Sequence, residues 1–198
     1  MAADVAGLIL AGGAGQRYGG PKALATLPDG RSFLTACAEL LASGGAAPIL
    51  ATLPPGFPSP ASPGLQALAL PSPGLPMFES LRAGLERLLA HGRWGAVVIL
   101  PVDHPLVAPA TVAALAGCGV DAAIPAHRGK HGHPVCVARR VAEAIVAGRY
   151  PGPTLRDVLR AVGTSVVEVA DPGVTANCNT PEALAAALAA VPPGRMQA

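Results

Sequence analysis

The chain has 198 residues, enough to bury a sizeable core within one domain. Hydrophobic residues make up 51% of it, which excludes an intrinsically disordered chain. A formal charge of +2 and an aromatic content of 3% exclude a basic nucleic-acid surface and a base-stacking platform, so no nucleic-acid partner is expected.

The four cysteines, Cys37, Cys118, Cys136 and Cys178, form no C-x-x-C pair, and most lie within apolar runs. They read as buried, reduced thiols rather than as a zinc site, which points to a reducing compartment. Residues 1–10 carry Asp4 and no basic start, so they do not read as a secretory signal. No apolar stretch approaches the ~20 residues that span a bilayer. A cytoplasmic protein without a membrane partner is expected.

Along the chain, Val5 to Leu10 is a continuous apolar run that ends in glycines, the pattern of a buried parallel strand opening into a tight loop. Ser32 to Ser43 has helical apolar spacing and stops at Gly44-Gly45. Ile49 to Leu53 is a second strand. Pro54 to Pro76 is dense in Pro, Gly and Ser and is broken only by a short strand over Leu65 to Leu70. Its flanks are too short to make separate cores, so it is not an interdomain linker, and residues 1–198 are expected to form a single domain. Phe78 to Ala90 is amphipathic, with Leu81, Leu85, Leu88 and Leu89 on one face. Ala96 to Leu100 is a buried strand ending at Pro101-Val102-Asp103-His104-Pro105.

Pro109 to Ala116 is the next helix, with Pro109 in its first turn. Asp121 to Pro125 and Pro134 to Ala138 are short strands, separated by a polar loop that includes Lys130, His131, Gly132 and His133. Helices follow over Arg139 to Ala147 and Thr154 to Ala161, the latter with Thr154 as N-cap and Asp157 in the capping-box position. Ser165 to Val169 is a strand, and Thr180 to Ala190 closes the chain as a helix capped by Thr180. Strands alternating with helices predict a mostly parallel sheet with helices on both faces, and such sheets bind ligands at the carboxyl ends of their strands.

Two candidate sites stand at such ends. In Leu10-Ala11-Gly12-Gly13-Ala14-Gly15-Gln16-Arg17-Tyr18-Gly19-Gly20-Pro21-Lys22, glycines allow the backbone to approach a phosphate chain while Arg17 and Lys22 add positive charge. The loop is neither a G-x-G-x-x-G fingerprint nor a P-loop. Asp103 either caps a turn between prolines or holds Mg²⁺, which is usually bound through one or two carboxylates plus substrate phosphates. Asn177 and Asn179 alternate around Cys178, so in extended backbone their amides point the same way; the competing reading is a turn before the Thr180 cap. The histidines at 131 and 133 have no obvious third metal ligand, and they fit the lining of an acceptor pocket better than a zinc site.

The ordered set Leu10-Ala11-Gly12-Gly13 to Pro21-Lys22, Phe78 to Leu85, Pro101 to Pro105, Gly132 to Val135 and Asn177 to Glu182 resembles the MobA/MocA-like nucleotidyltransferases of molybdenum cofactor biosynthesis over nearly the whole chain. The resemblance implies a Rossmann-like three-layer α/β sandwich of the nucleotide-diphospho-sugar transferase kind. It also implies CTP or GTP as donor, Mg²⁺ as cofactor, and pyrophosphate release. The family's nucleotide loop maps onto Leu10, Ala11, Gly12, Gly13, Arg17 and Lys22, and Ala14 and Gly15 are expected to bind the nucleotide with them. Its metal carboxylate maps onto Asp103, with Asn177 as a further metal contact, and its base-contacting segment falls at residues 75–80, ending on Ser80. Arg17, Lys22 and Asp103 carry the catalytic expectation.

Three features depart from the family pattern. Tyr18 replaces a frequent Met. Asn177-x-Asn179-Thr180-Pro181 replaces the Asp-x-Asp-Thr-Pro of cytidylyl-type members. The proline-rich stretch replaces the helix usual between the second and third strands. The Ala-Gly-Gly loop is of guanylyl type, whereas residues 78–85 and 132–135 are closer to the cytidylyl group, which tips the expected acceptor reaction towards cytidylyl transfer to molybdopterin. A sugar or polyol phosphate as acceptor, or a non-catalytic nucleotide-binding accessory of a molybdoenzyme, are the alternatives; a molybdoenzyme or its chaperone is the expected protein partner.

Overall fold

The computed structural model describes residues 4–13, 20–58 and 62–191. Within them, the strands are β1 (Val5–Leu10), β2 (Ala46–Leu53), β3 (Leu65–Ala69), β4 (Ala96–Pro101), β5 (Ala122–His127), β6 (Lys130–His131), β7 (Val135–Ala138) and β8 (Ser165–Glu168). The helices are α1 (Phe33–Ser43), α2 (Met77–Ala90), α3 (Pro109–Ala116), α4 (Arg139–Val146), α5 (Leu155–Val162) and α6 (Pro181–Ala190). The capping expectations at Thr154 and Thr180 hold, and Ser32 caps α1 in the same way: each side chain accepts from the backbone N–H three residues on, satisfying a donor each helix start leaves open.

All strands join one sheet in the order β3-β2-β1-β4-β7-β5-β6, with β8 beside β5. β1, β2, β3 and β4 run parallel, as do β5 and β8, whereas β7 is antiparallel to both β4 and β5. The carboxyl ends of β1, β4 and β5 therefore share one edge. The antiparallel β7 and the two-residue β6, in a stretch expected to be loop, are the main local differences from the alternating pattern. A run as short as β6 has no periodicity to betray it.

The alternation of side chains along β1 divides the core into the two layers beside the sheet. Val5 and Ile9 pack with α1, α3 and α6 through Phe33, Leu41, Val112 and Leu184. Ala6, Leu8 and Leu10 pack on the other face with Leu81, Leu85, Val141 and Val158 of α2, α4 and α5. This is the expected three-layer sandwich. Gly84 lets α2 lie close to the sheet: a Cβ there would sit 2.6 Å from Leu8 Cδ1. As the proline content predicts, the described residues between β2 and β3 contain no helix. Among the described residues, no helix is long and apolar enough to cross a membrane.

Candidate active site

The parallel strands deliver the first group of side chains to the common edge. β1 ends at Leu10, and Ala11 donates its N–H to the Thr52 carbonyl at 3.1 Å while Val102 donates to the Leu10 carbonyl at 3.1 Å. The start of the glycine loop is thus tied to the ends of both neighbouring strands. Gly12 has no room for a side chain, because a Cβ would lie 2.3 Å from Leu70 Cδ1 and 3.4 Å from the hydroxyl of Ser80. Ser80, on the first turn of α2, is buried and donates its Oγ–H to the Pro76 carbonyl at 3.3 Å. Gly13 faces open space. Ala14, Gly15 and Arg17 lie outside the described residues.

Lys22 opens a short 3-10 helix over Lys22–Leu24 and turns its ammonium to the end of β4. Its Nζ donates to Asp103 Oδ2 at 3.0 Å and to the Asn179 side-chain oxygen, 81 and 157 residues away in sequence. Both charged side chains are about four-fifths buried, at 22% and 17% exposure, so this pair is shielded from the solvent screening that makes most surface ion pairs weak. Asp103 is held from behind: Cys178 donates its backbone N–H to the Asp103 carbonyl at 2.8 Å, and the Cys37 thiol reaches the Val102 carbonyl at 3.6 Å. Burial pushes the Cys37 thiol well above its ordinary range and the Cys178 thiol up to about 11, so both stay protonated and inert. Asn177 is exposed, and its carbonyl accepts from Asn179 N–H at 3.0 Å. Of the two asparagines it is Asn179 whose amide the structure brings to Lys22; Asn177 is not brought to Lys22 or Asp103 by any side-chain hydrogen bond.

Beside Asp103 lie two features that spacing did not reveal. His104 is buried, and its ring centroid stands 4.7 Å from that of His133, with Nδ1 of each ring buried and without a hydrogen-bond partner among the described residues. Burial lowers His104 below the ordinary histidine range; burial, and then His104 beside it, lowers His133 to about 4. The pair is neutral near pH 7.

The second is Asp171, a buried carboxylate that accepts from Ala108 N–H at 2.8 Å, Thr111 Oγ at 2.7 Å and Gly173 N–H at 3.0 Å. It pins the segment 171–174 between the loop after β4 and the loop before β7. There a Cβ on Gly173 would meet the Leu106 carbonyl oxygen at 2.2 Å, and one on Gly132 the Val174 carbonyl oxygen at 2.1 Å. In the sequence, Asp171-Pro172-Gly173 reads as an ordinary turn; nothing local signals its long-range partners.

The oxygens that hold the Lys22 ammonium, a carboxylate and an amide carbonyl, are the hard donors that Mg²⁺ or Mn²⁺ takes. Among the described residues, no three His, Cys, Asp or Glu side chains gather into a complete metal cage. The arrangement suits a cation that completes its shell with substrate oxygens rather than one bound by protein alone.

The model of the MobA-like NTP transferase domain matches residues 7–169, which contain the glycine loop, Lys22 and Asp103. The chain belongs to that family. As a MobA-like NTP transferase it is a nucleotidyltransferase that takes a nucleoside triphosphate, and its sandwich is that of the nucleotide-diphospho-sugar transferase-like proteins. Rv0371c from Mycobacterium tuberculosis H37Rv is similar in fold, with a TM-score of 0.75 at 22% identity over 95% of this chain and 100% of that one. A manganese complex of the same mycobacterial protein superposes with a TM-score of 0.72 at 21% identity over 95% and 100% of the two chains. The 2-C-methyl-D-erythritol 4-phosphate cytidylyltransferase from Thermus thermophilus is 25% identical, with a TM-score of 0.66, over 95% of this chain and 100% of its own. No curated protein matches the chain by sequence.

Proposed function

We propose that this MobA-like transferase moves CMP or GMP from CTP or GTP to a phosphate-bearing acceptor, with cytidylyl transfer to molybdopterin as the preferred reaction, and releases pyrophosphate. The observation that carries the reading is the cluster Lys22–Asp103–Asn179 at the edge where the glycine loop opens. A phosphate oxygen of the acceptor attacks the α-phosphorus of the triphosphate, and the bond from that phosphorus to the bridging oxygen of pyrophosphate breaks. The acceptor phosphate is already anionic, so no general base is needed.

The chain's own residues position and neutralise. The backbone of Leu10, Ala11, Gly12 and Gly13 would meet the phosphates, with Ala14 and Gly15 assigned to the same loop by the family pattern, while Ser80 backs Gly12 from α2. Lys22 exchanges the Asp103 carboxylate for a phosphate oxygen, and Arg17 adds a second positive charge. Asp103 and an asparagine of the 177–179 segment, Asn177 on the family pattern and Asn179 on its contact with Lys22, would hold Mg²⁺. When bound, the ion neutralises charge on the phosphate oxygens and the leaving pyrophosphate. A manganese complex exists for the mycobacterial relative, in keeping with a divalent ion here.

A sugar or polyol phosphate acceptor is the second reading, favoured by the Thermus relative, whose name specifies a polyol phosphate. A non-catalytic accessory that serves a molybdoenzyme or its chaperone would need the cationic pair but not the partly buried Asp103. We place the reaction in the cytoplasm, in line with the reduced thiols. The deciding measurement is pyrophosphate release with each of the four nucleoside triphosphates against molybdopterin and a panel of sugar phosphates. Release with CTP and molybdopterin is expected; release only with a sugar or polyol phosphate selects the second reading, and none with any pair supports the accessory.

A further inference from the structure

We infer that the turn of the β5–β6 hairpin, through Arg128 and Lys130, holds the phosphate of the acceptor, as the counterpart on the other side of Asp103 to Lys22 on the triphosphate. The inference rests on the transferase reading above.

Placement is the first support. β5 pairs β7 through Ala122↔Val137 and Ala123↔Cys136, and pairs β6 through Ala126↔His131 and His127↔Lys130. The two antiparallel registers differ by two residues, so β6 prolongs the line of β7 past an irregularity at 132–134 that turns His133 onto His104. β7 is also the neighbour of β4, with Ile99 opposite Val135. The turn at Arg128-Gly129 thus stands at the carboxyl end of β5, on the same sheet edge as the end of β4 that leads into Asp103.

Charge is the second support. Arg128, Lys130 and His131 are exposed. Among the described residues, neither Arg128 nor Lys130 makes an ion pair or a side-chain hydrogen bond. The carboxylate nearest in the hydrogen-bond pattern, Glu168, accepts from the Gly129 backbone N–H at 3.3 Å. Backbone conformation is the third. Arg128 and Gly129 have φ of 51° and 74°, the left-handed pair of a two-residue hairpin turn. That turn favours Asn-Gly, and a long cationic side chain at its first position is disfavoured by the backbone. A charge kept where the turn resists it, unpaired and at the rim of the site, has the chemistry to receive an anion.

The test uses the full chain with Arg128→Asn and Lys130→Gln, singly and together. Asn suits the left-handed position, so the thermal midpoint of Arg128→Asn should equal or exceed that of the parent. With the acceptor that supports pyrophosphate release, the double variant should raise the acceptor KM at least tenfold and leave the nucleotide KM within twofold; an acceptor KM within twofold of the parent overturns the inference.

A second arm needs no turnover. The 15N-labelled protein, saturated with CTP or GTP, is titrated with glycerol 3-phosphate, with glycerol as the uncharged control. Saturable amide shifts at residues 128–131, seen only with the phosphate and lost in the double variant, support the inference; their absence from the parent overturns it. Shifts without any turnover would keep the hairpin site and reject the transferase reading.

Discussion

The two halves of the sheet handle charge in opposite ways. In the parallel half, β1 to β4, the charged groups are already matched: Lys22 is bound to Asp103 and Asn179, and the loop that carries them is wedged by Gly12 against Leu70. Towards β5, β7 and β8, the buried imidazole of His133 before β7 is neutral and faces His104 of the loop after β4, and the cations of the β5–β6 turn are unpaired among the described residues. The difference shows how one sheet edge can serve two ligands. On the proposed reading, a triphosphate would meet a prearranged set of groups whose position costs little to maintain, whereas an acceptor would meet a side whose charge is left for it to neutralise.

The contrast breaks most sharply at Asp103. Asp103→Ala should reduce pyrophosphate release by ~1,000-fold, the scale on which removing a key charge-stabilising group acts. Circular dichroism should show an unchanged fold. Turnover within a few-fold of the parent at saturating Mg²⁺ would detach the parallel half from the chemistry.

The neutral imidazoles sharpen the comparison through pH. A histidine whose folded-state value lies near 4, against an ordinary value near 6.5, takes up its proton in the unfolded chain first. Its stabilising contribution is complete above about pH 6.5, falls as pH drops through the window between the two values, and is spent below about 4, for a total on the order of 3 kcal/mol. The depressed value of His104 adds to the loss in the same direction. Urea midpoints followed from pH 7.5 to 4.5 should fall, and His133→Gln should flatten the decline; a slope identical in parent and variant would refute the assignment.

Lys22→Ala should weaken nucleotide binding or slow transfer at least ~10-fold, since a hydrogen bond to a charged group is worth roughly 1.5–3 kcal/mol. Arg17→Ala should do the same. Calorimetric titration with CTP and GTP separates the two effects, and unaltered affinity with unaltered turnover would make the glycine loop a purely structural turn.

The smallest effect concerns the asparagines. The family pattern ranks Asn177 first as a metal contact; the contact with Lys22 ranks Asn179 first. On the second ranking, Asn179→Asp should lower the Mg²⁺ concentration at half-saturation several-fold while Asn177→Asp leaves it within twofold, because Mg²⁺ prefers anionic oxygen. The reverse order would restore Asn177.

These cases also show what the sequence makes legible. Buried strands and capped helices are local patterns, and Ser32, Thr154 and Thr180 cap the helices that their spacing predicts. The glycine loop and Asp103 are legible because each follows a strand directly. The Asp171 anchor, the His104–His133 pair and the choice between Asn177 and Asn179 are tertiary: each depends on segments tens of residues apart. The same holds for β6, where two residues of strand place Lys130 in a hairpin at the carboxyl end of β5 rather than in an anonymous polar loop.

The proline-rich surroundings of β3 have a consequence for how molecules of this protein behave towards one another. β3 closes one margin of the sheet, and a margin strand offers open backbone donors and acceptors on which a second chain can pair. Pro54, Pro55 and Pro58 precede it and Pro71, Pro73 and Pro76 follow it. Each lacks the N–H that a growing ladder needs, so the strand stays at five residues and cannot lengthen into a template for aggregation. The proline-rich flanks of β3 thereby favour colloidal stability, a property of concentrated solution rather than of the reaction.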